Sequence, residues 1–228
     1  MKKSVLFLFT FILVNVYSQQ NVKSFNFKKG EVLDIILLTG SPEFKEGFEK
    51  YKKTILPVGF EYGYQPQPGF KASKLILGNY LPKSFLIGKW GNKEKRENFL
   101  ENIVNRVPDF HKQRRSTFAY FGLSYYTLSK DLKFTVNLNT YNVVTSFWKK
   151  NNTDFYTFTK QWEKDVFATG GKFILKLPKG ISPVGYNYNP DLFTIIEWKN
   201  KSDYEKFVEK HPLGFYSKLK NVHQFIID

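Results

Sequence analysis

The sequence predicts an α+β fold in which one β-α-β-β-α-β unit occurs twice and the two sheets pack on each other. Three observations carry that prediction. The chain has 228 residues, 42% of them apolar and none of them cysteine. Segments match one another at spacings of 104 to 111 residues. Inside each match, apolar runs switch between strand-like and helix-like periods. A chain of this length and composition can bury a core of its own, as one large domain or two small ones. Without cysteine it is not a disulfide scaffold, a thiol enzyme or a Cys-ligated zinc protein.

The duplication is read residue by residue. A shift of 108 lays Asn79-Tyr80-Leu81-Pro82 over Asn187-Tyr188-Asn189-Pro190 and Trp90 over Trp198, with eleven of 23 positions identical as far as Glu101 and Glu209. A shift of 111 aligns residues 32–64 with 143–175 without a gap, pairing Phe44 with Phe155, Tyr51 with Trp162 and Gly59 with Gly170. A shift of 104 pairs Pro108 with Pro212 and Phe121 with Phe225. The order of matches is kept and the identities fall on Trp, Pro and Phe, so the halves are placed at residues 19–129 and 130–228.

Each element can then be read twice. The β-branched apolar runs Val32 to Leu38 and Val143 to Trp148 are first strands. A helix is expected over 42–55, with Ser41 as N-cap, Pro42 at its first position and Phe44, Phe48, Tyr51 and Ile55 on one face. Phe155, Phe158, Trp162 and Val166 repeat that stripe, and Gly59 and Gly170 are expected to end the two helices in left-handed caps. Second strands are expected at Phe60 to Tyr64 and Lys172 to Leu177, each followed by Pro and Gly turn residues. Phe85 to Trp90 and Phe193 to Trp198 read as third strands, and Lys93 to Val104 and Ser202 to Lys210 as second helices, the latter capped by Ser202. Thr117 to Tyr126 and Val222 to Ile227 close the units as fourth strands. Asn21 to Phe27 and Leu132 to Leu138 precede the first strands and add an edge strand or clasp.

The resulting order is the ferredoxin-like split β-α-β arrangement, an antiparallel sheet with helices on one face. Its other face is apolar and bare, and a second copy in the same chain covers it as an internal pseudo-dimer. The runs Gly170-Gly171-Lys172-Phe173, Gly185-Tyr186-Asn187-Tyr188-Asn189-Pro190 and Phe193 to Tyr204 resemble the dimeric α/β-barrel superfamily, closest in pattern to an uncharacterised domain-of-unknown-function branch. The likeness is fuller over 155–212 than over 44–104, where Gly59-Phe60 stands for the Gly-Gly pair. It implies an intramolecular dimeric α/β barrel. Members of that superfamily include cofactor-independent monooxygenases, lactone isomerases and haem-binding enzymes, usually homodimers of one repeat, so the resemblance implies fold more firmly than activity.

Lys2 and Lys3, the apolar stretch Val5 to Val16 and the residues up to Ser18 predict a signal peptide over 1–18, a mature start at Gln19 and a periplasmic or secreted protein. No later stretch reaches the roughly 20 apolar residues of a spanning helix, so no membrane anchor is expected. Net charge is +15, and the loss of two lysines with the leader lowers it to +13. Such a surplus draws anions, whether small molecules or polymers. Only Arg96, Arg106, Arg114 and Arg115 are arginines and the lysines are scattered, so no specific nucleic-acid reader is expected.

His111, His211 and His223 are expected on a loop, a helix end and a strand. They form no helical metal pair, and the chain has no phosphate-binding loop and no nucleophile elbow, so neither a metal nor another cofactor is expected. His211 reads as structural. His223, aligned with Ala119, and Asp34, aligned with Thr145, each break an apolar strand. A buried titratable group persists only with a partner or a purpose, which makes these two the candidate general bases. Tyr120, Trp90 and Trp198 are candidate pocket walls, and Arg114 and Arg115 candidate holders of an anionic ligand. Three functions remain open for a chain expected to be monomeric. They are a small-molecule-binding module outside the cytoplasm, a cofactor-independent oxygenase or isomerase acting on an aromatic or conjugated substrate, and a basic surface binder of anionic polymers.

Overall fold

The computed structural model of the protein describes residues 21–228, so the expected signal peptide lies outside the described residues. The first half runs β1 (Val22–Phe27), β2 (Val32–Gly40), α1 (Phe44–Thr54), α2 (Leu56–Glu61), β3 (Tyr64–Pro66), β4 (Phe70–Leu77), β5 (Ser84–Trp90), α3 (Lys93–Arg106), α4 (Phe110–Thr117) and β6 (Phe118–Thr127). The second runs β7 (Leu132–Asn137), β8 (Tyr141–Lys149), α5 (Asn152–Ala168), β9 (Lys172–Pro178), β10 (Leu192–Trp198), α6 (Lys201–Glu209), a 3₁₀ helix (Leu213–Lys218) and β11 (Leu219–Ile227). The hydrogen-bonded order is β6-β2-β5-β4-β11-β8-β10-β9, with β3 also on β5. Each half thus keeps the ferredoxin-like order of last, first, third and second strand.

The halves share one antiparallel sheet, and β4 joins them. Its start pairs with β5, Phe70 opposite Phe85, and the rest crosses to β11, from Ala72 opposite Ile227 to Leu77 opposite Gln224. On the far side, Tyr125 of β6 bridges Ile181 just beyond β9, through hydrogen bonds of 2.8 and 3.1 Å. The sheet therefore curls back on itself as a barrel. The segments read as a clasp form one: β1 pairs with β7, placing Ser24 opposite Thr135, its own counterpart at the repeat spacing of 111. The local two-fold axis of the duplication passes through that pair, and the neighbouring rings of Phe25 and Phe134 stack at 4.5 Å.

Both faces of the sheet are covered, which explains the unbroken apolar run of β2: its first seven residues are all buried. Leu33, Ile35 and Leu37 face the barrel interior with Phe85, Val144, Phe193 and Phe225, side chains from both halves. Val32, Ile36 and Leu38 face α1 to α4. In the second half, Val143, Phe147 and Trp198 pack against Phe158, Trp162 and Phe207 of α5 and α6.

Several local expectations are corrected. Gly59 does not end a helix; it is buried inside α2, and the left-handed residue is Gly63 at φ +83°. Phe60 is accordingly helical and the second strand begins at Tyr64, then continues as β4, which the Pro66-Gln67-Pro68-Gly69 turn reading concealed. Gly170 does follow α5 at φ +79°. Ser41 makes no cap and α1 begins at Phe44. The cap of α6 is Asn200, whose Oδ1 accepts from the Asp203 N–H at 3.0 Å, rather than Ser202. Asn92 and Asn151 cap α3 and α5 in the same way.

Candidate functional site

Asp34 sits in mid-β2 opposite Gly88 of β5 and Tyr125 of β6, on the side that faces the helices. Gly88 makes room for it: a Cβ there would lie 2.7 Å from the Tyr64 ring and 3.2 Å from the Asp34 Cβ. Both oxygens of the Asp34 carboxylate are hydrogen-bonded. Its Oδ1 accepts from Arg96 Nε and its Oδ2 from Trp90 Nε1, both at 2.9 Å. Arg96 comes from α3, is 2% exposed, and lays its guanidinium 3.9 Å from the centre of the Tyr125 ring. Burial and a hydrogen bond to Glu97 push the Tyr125 phenol up to about 12. Such a buried ion pair persists because its geometry and extra hydrogen bonds replace the lost hydration. One nitrogen of Arg96, Nη1, is buried without a partner.

This group forms one wall of a cavity of about 200 Å³ between the first-half sheet and its helices. Ile36, Leu38, Ile55, Leu86, Phe99 and Phe121 supply much of the apolar remainder. Phe48, Leu56 and Tyr64 are half-buried and Pro66 exposed, marking the side that opens to solvent. Arg114, from α4, lines the same space and is 9% exposed. It donates to the hydroxyls of Tyr51 and Tyr186 and lies 4.2 and 4.5 Å from the ring centres of Phe121 and Phe110. Its Nε is buried without a partner. Burial also pushes the Tyr64 phenol up, with the charge of Asp34 adding to the effect. In the second half the corresponding place is packed: Trp162 is fully buried against Phe147 at 4.9 Å, and Tyr204 stands where the 108 spacing carries Arg96.

A second hollow, of about 370 Å³ and more polar, opens at the barrel mouth opposite the clasp. The two copies of the Asn-Tyr-x-Pro motif meet there: Asn79 and Tyr80 from one, Asn187, Tyr188 and Asn189 from the other. His223 belongs to this hollow. Its Nδ1 lies 3.1 Å from the Tyr188 hydroxyl, which lies 2.8 Å from Ser146 Oγ, and its Nε2 lies 2.8 Å from the Tyr80 carbonyl. A carbonyl only accepts, so Nε2 carries the proton and Nδ1 accepts from Tyr188. Burial lowers the His223 pKa and pushes the Tyr188 phenol well up, so both are neutral near pH 7.

The candidates named from sequence therefore separate. Asp34, Trp90 and Arg114 line the first-half cavity, while His223 and Tyr120 line the barrel-mouth hollow. Trp198 lines neither; it is buried in the second-half core, with Nε1 3.4 Å from Thr169 Oγ1. Arg115 is exposed next to Arg114. His111 lies in α4, not in a loop, and His211 is buried between Phe207 and Phe215, within 3.2 Å of Asp165. His223 sits opposite Ser146 in mid-ladder, whereas Ala119 falls at an irregularity of β6, so the two are not equivalent. The helix after α3 and the 3₁₀ helix after α6 differ in length, which displaces the last strands. Arg96, Tyr51 and Tyr186 were missed; the available signal was that Arg96 is one of only four arginines and stands in a stretch otherwise matched to its copy.

No family model matches the sequence, and no curated protein matches it. Solved structures share its fold. An anthrone oxidase-like protein superposes with a TM-score of 0.51 at 12% identity, over 89% of this chain and 94% of that one. A candidate monooxygenase from Fusobacterium nucleatum subsp. nucleatum gives 0.43 at 12% identity, over 89% and 93%. A chlorite dismutase variant from Candidatus Nitrospira defluvii gives 0.47 at 8%, also over 89% and 93%. The chain thus has an α+β fold in which two tandem ferredoxin-like units share one curled antiparallel sheet.

Among the described residues, neither hollow offers a free imidazole to a haem iron. The first-half cavity has no histidine on its wall, and both ring nitrogens of His223 in the other are engaged.

Proposed function

We propose that the protein is a small-molecule-binding barrel acting outside the cytoplasmic membrane, with its ligand in the first-half cavity. One observation carries this reading: the same fold unit is hollow in one copy and filled by Trp162 in the other. A space left open in a duplicated core loses packing in that copy, which a bound ligand restores. An engineered apolar cavity of about 150 Å³ holds benzene, so about 200 Å³ suits one ring with a substituent. Convergent polar groups on an otherwise apolar wall are the usual form of such sites. The test is a thermal-shift panel of single-ring compounds on the wild type and on Gly59→Met, whose added side chain enters the cavity. A ligand-dependent rise in Tm that Gly59→Met abolishes supports the reading; no response from any ring compound refutes it. The location is supported by residues 1–18 and is tested by N-terminal sequencing of the exported protein, expected to begin at Gln19.

Cofactor-independent oxygenation or isomerisation of an aromatic or conjugated substrate in that cavity is the second reading. The fold in common with the anthrone oxidase-like protein favours it. A general base must reach the substrate proton, and Asp34 lines the cavity with a carboxylate whose oxygens each already accept one hydrogen bond, from Arg96 and Trp90. Oxygen uptake with an anthrone, lost in Asp34→Asn, would support this reading. The domain-of-unknown-function branch remains the proposed placement within the superfamily, on the Gly170-Gly171 strand start.

A further inference from the structure

We infer that the first-half cavity takes a single-ring carboxylate, a monoanion whose acid group is anchored by Arg114. This rests on the cavity reading above and specifies its ligand. The charged residues on the cavity wall are Asp34, Arg96 and Arg114. Asp34 and Arg96 neutralise each other at 2.9 Å. Arg114 makes its hydrogen bonds to two tyrosine hydroxyls and has no carboxylate partner among the described residues. The empty cavity therefore carries one uncompensated positive charge, on a group that does not release its proton at any physiological pH.

Burying such a charge is costly, and the ring faces of Phe110 and Phe121 offset only part of it. Donors remain to receive an anion. Arg114 Nε is buried and unpartnered, and the Tyr51 hydroxyl, which accepts from Arg114 and lines the cavity, keeps its own proton to donate. A carboxylate can accept from both, and its planar pair of oxygens suits a guanidinium edge better than a point anion does. One net positive charge matches a monoanion. Apolar walls including Phe48, Phe118 and Leu86 suit the ring.

The experiment is isothermal titration of the purified protein with benzoate and with benzyl alcohol, a neutral probe of the same ring, at low and moderate salt. The expected result is benzoate binding about 10-fold to 100-fold tighter than benzyl alcohol, since a hydrogen bond to a charged group is worth that much. The preference should survive moderate salt, because a buried pair is poorly screened. Arg114→Met should remove the preference while keeping benzyl alcohol binding, and Arg115→Met, on the exposed neighbour, should change neither. Equal binding of the two probes by the wild type overturns the inference and leaves the cavity reading intact, without depending on any variant's folding. Benzoate binding that disappears at moderate salt also overturns it, assigning the anion to surface lysines. Binding of neither probe overturns the cavity reading and this inference together.

Discussion

Asp34 shows how one residue can hold a site open and a half-molecule together. Its two oxygens take one donor from α3 and one from the end of β5, all buried. Removing its charge leaves Arg96 uncompensated, so Asp34→Asn is expected to cost about 3–5 kcal/mol, read as a lower urea midpoint. Arg96→Met in the Asp34→Asn background should recover part of that loss, because it removes the stranded charge. His223 makes a different prediction. Its folded pKa lies below the ordinary 6.5, because burial disfavours the charged ring. Between the folded pKa and 6.5 the unfolded chain binds the extra proton, so stability is full above that window and falls as pH drops through it. His223→Gln can keep the bonds to Tyr80 and Tyr188 without titrating. The fall in urea midpoint between about pH 7.5 and about pH 5.5 should therefore be smaller in the variant than in the wild type. Equal falls would mean that His223 is protonated in the folded state.

At the scale of elements, Asn begins α3, α5 and α6, each time with its side-chain oxygen on the N–H three residues on. Asn151→Ala and Asn200→Ala are each expected to cost about 1 kcal/mol, whereas Ser202→Ala should stay within about 0.5 kcal/mol. Chemical denaturation of the three variants checks the assignment, and a larger loss at Ser202 would reverse it. Aromatic spacing located α1 and α5 in the sequence, because the core-facing stripe recurs at the helical period. It could not show that one copy keeps a space where the other is filled. Tyr51 and Trp162 occupy matched positions, but the volume each leaves depends on which side chains enter from α4, whose counterpart in the other half is a shorter 3₁₀ helix.

For the whole molecule, β4 is the decisive element. It pairs with its own half at one end and with β11 of the other half along the rest, while the barrel interior draws on both halves. Neither half has a complete core alone. Fragments 21–129 and 130–228 are expected to lack dispersed amide NMR spectra, and the intact chain to unfold in one transition seen alike by fluorescence and circular dichroism. Two separate transitions would show that the halves are independent.

The duplication, the β-α-β-β-α-β order and the two matched segments ahead of the first strands were legible in the sequence by itself, because packing on both sides of a strand and on one side of a helix leaves a periodic record that a second copy repeats; that those segments pair with each other as a clasp was not. Asp34 was legible as a break in such a record. Its partners were not, since Trp90 and Arg96 lie 56 and 62 residues away and meet it only when β5 and α3 fold against β2. The tertiary structure alone decided that Asp34 and His223 belong to different hollows, that Trp198 is core, and that Arg114 is buried with no acid beside it among the described residues. Charge balance and empty volume are properties of how side chains converge in space, and linear spacing does not carry them.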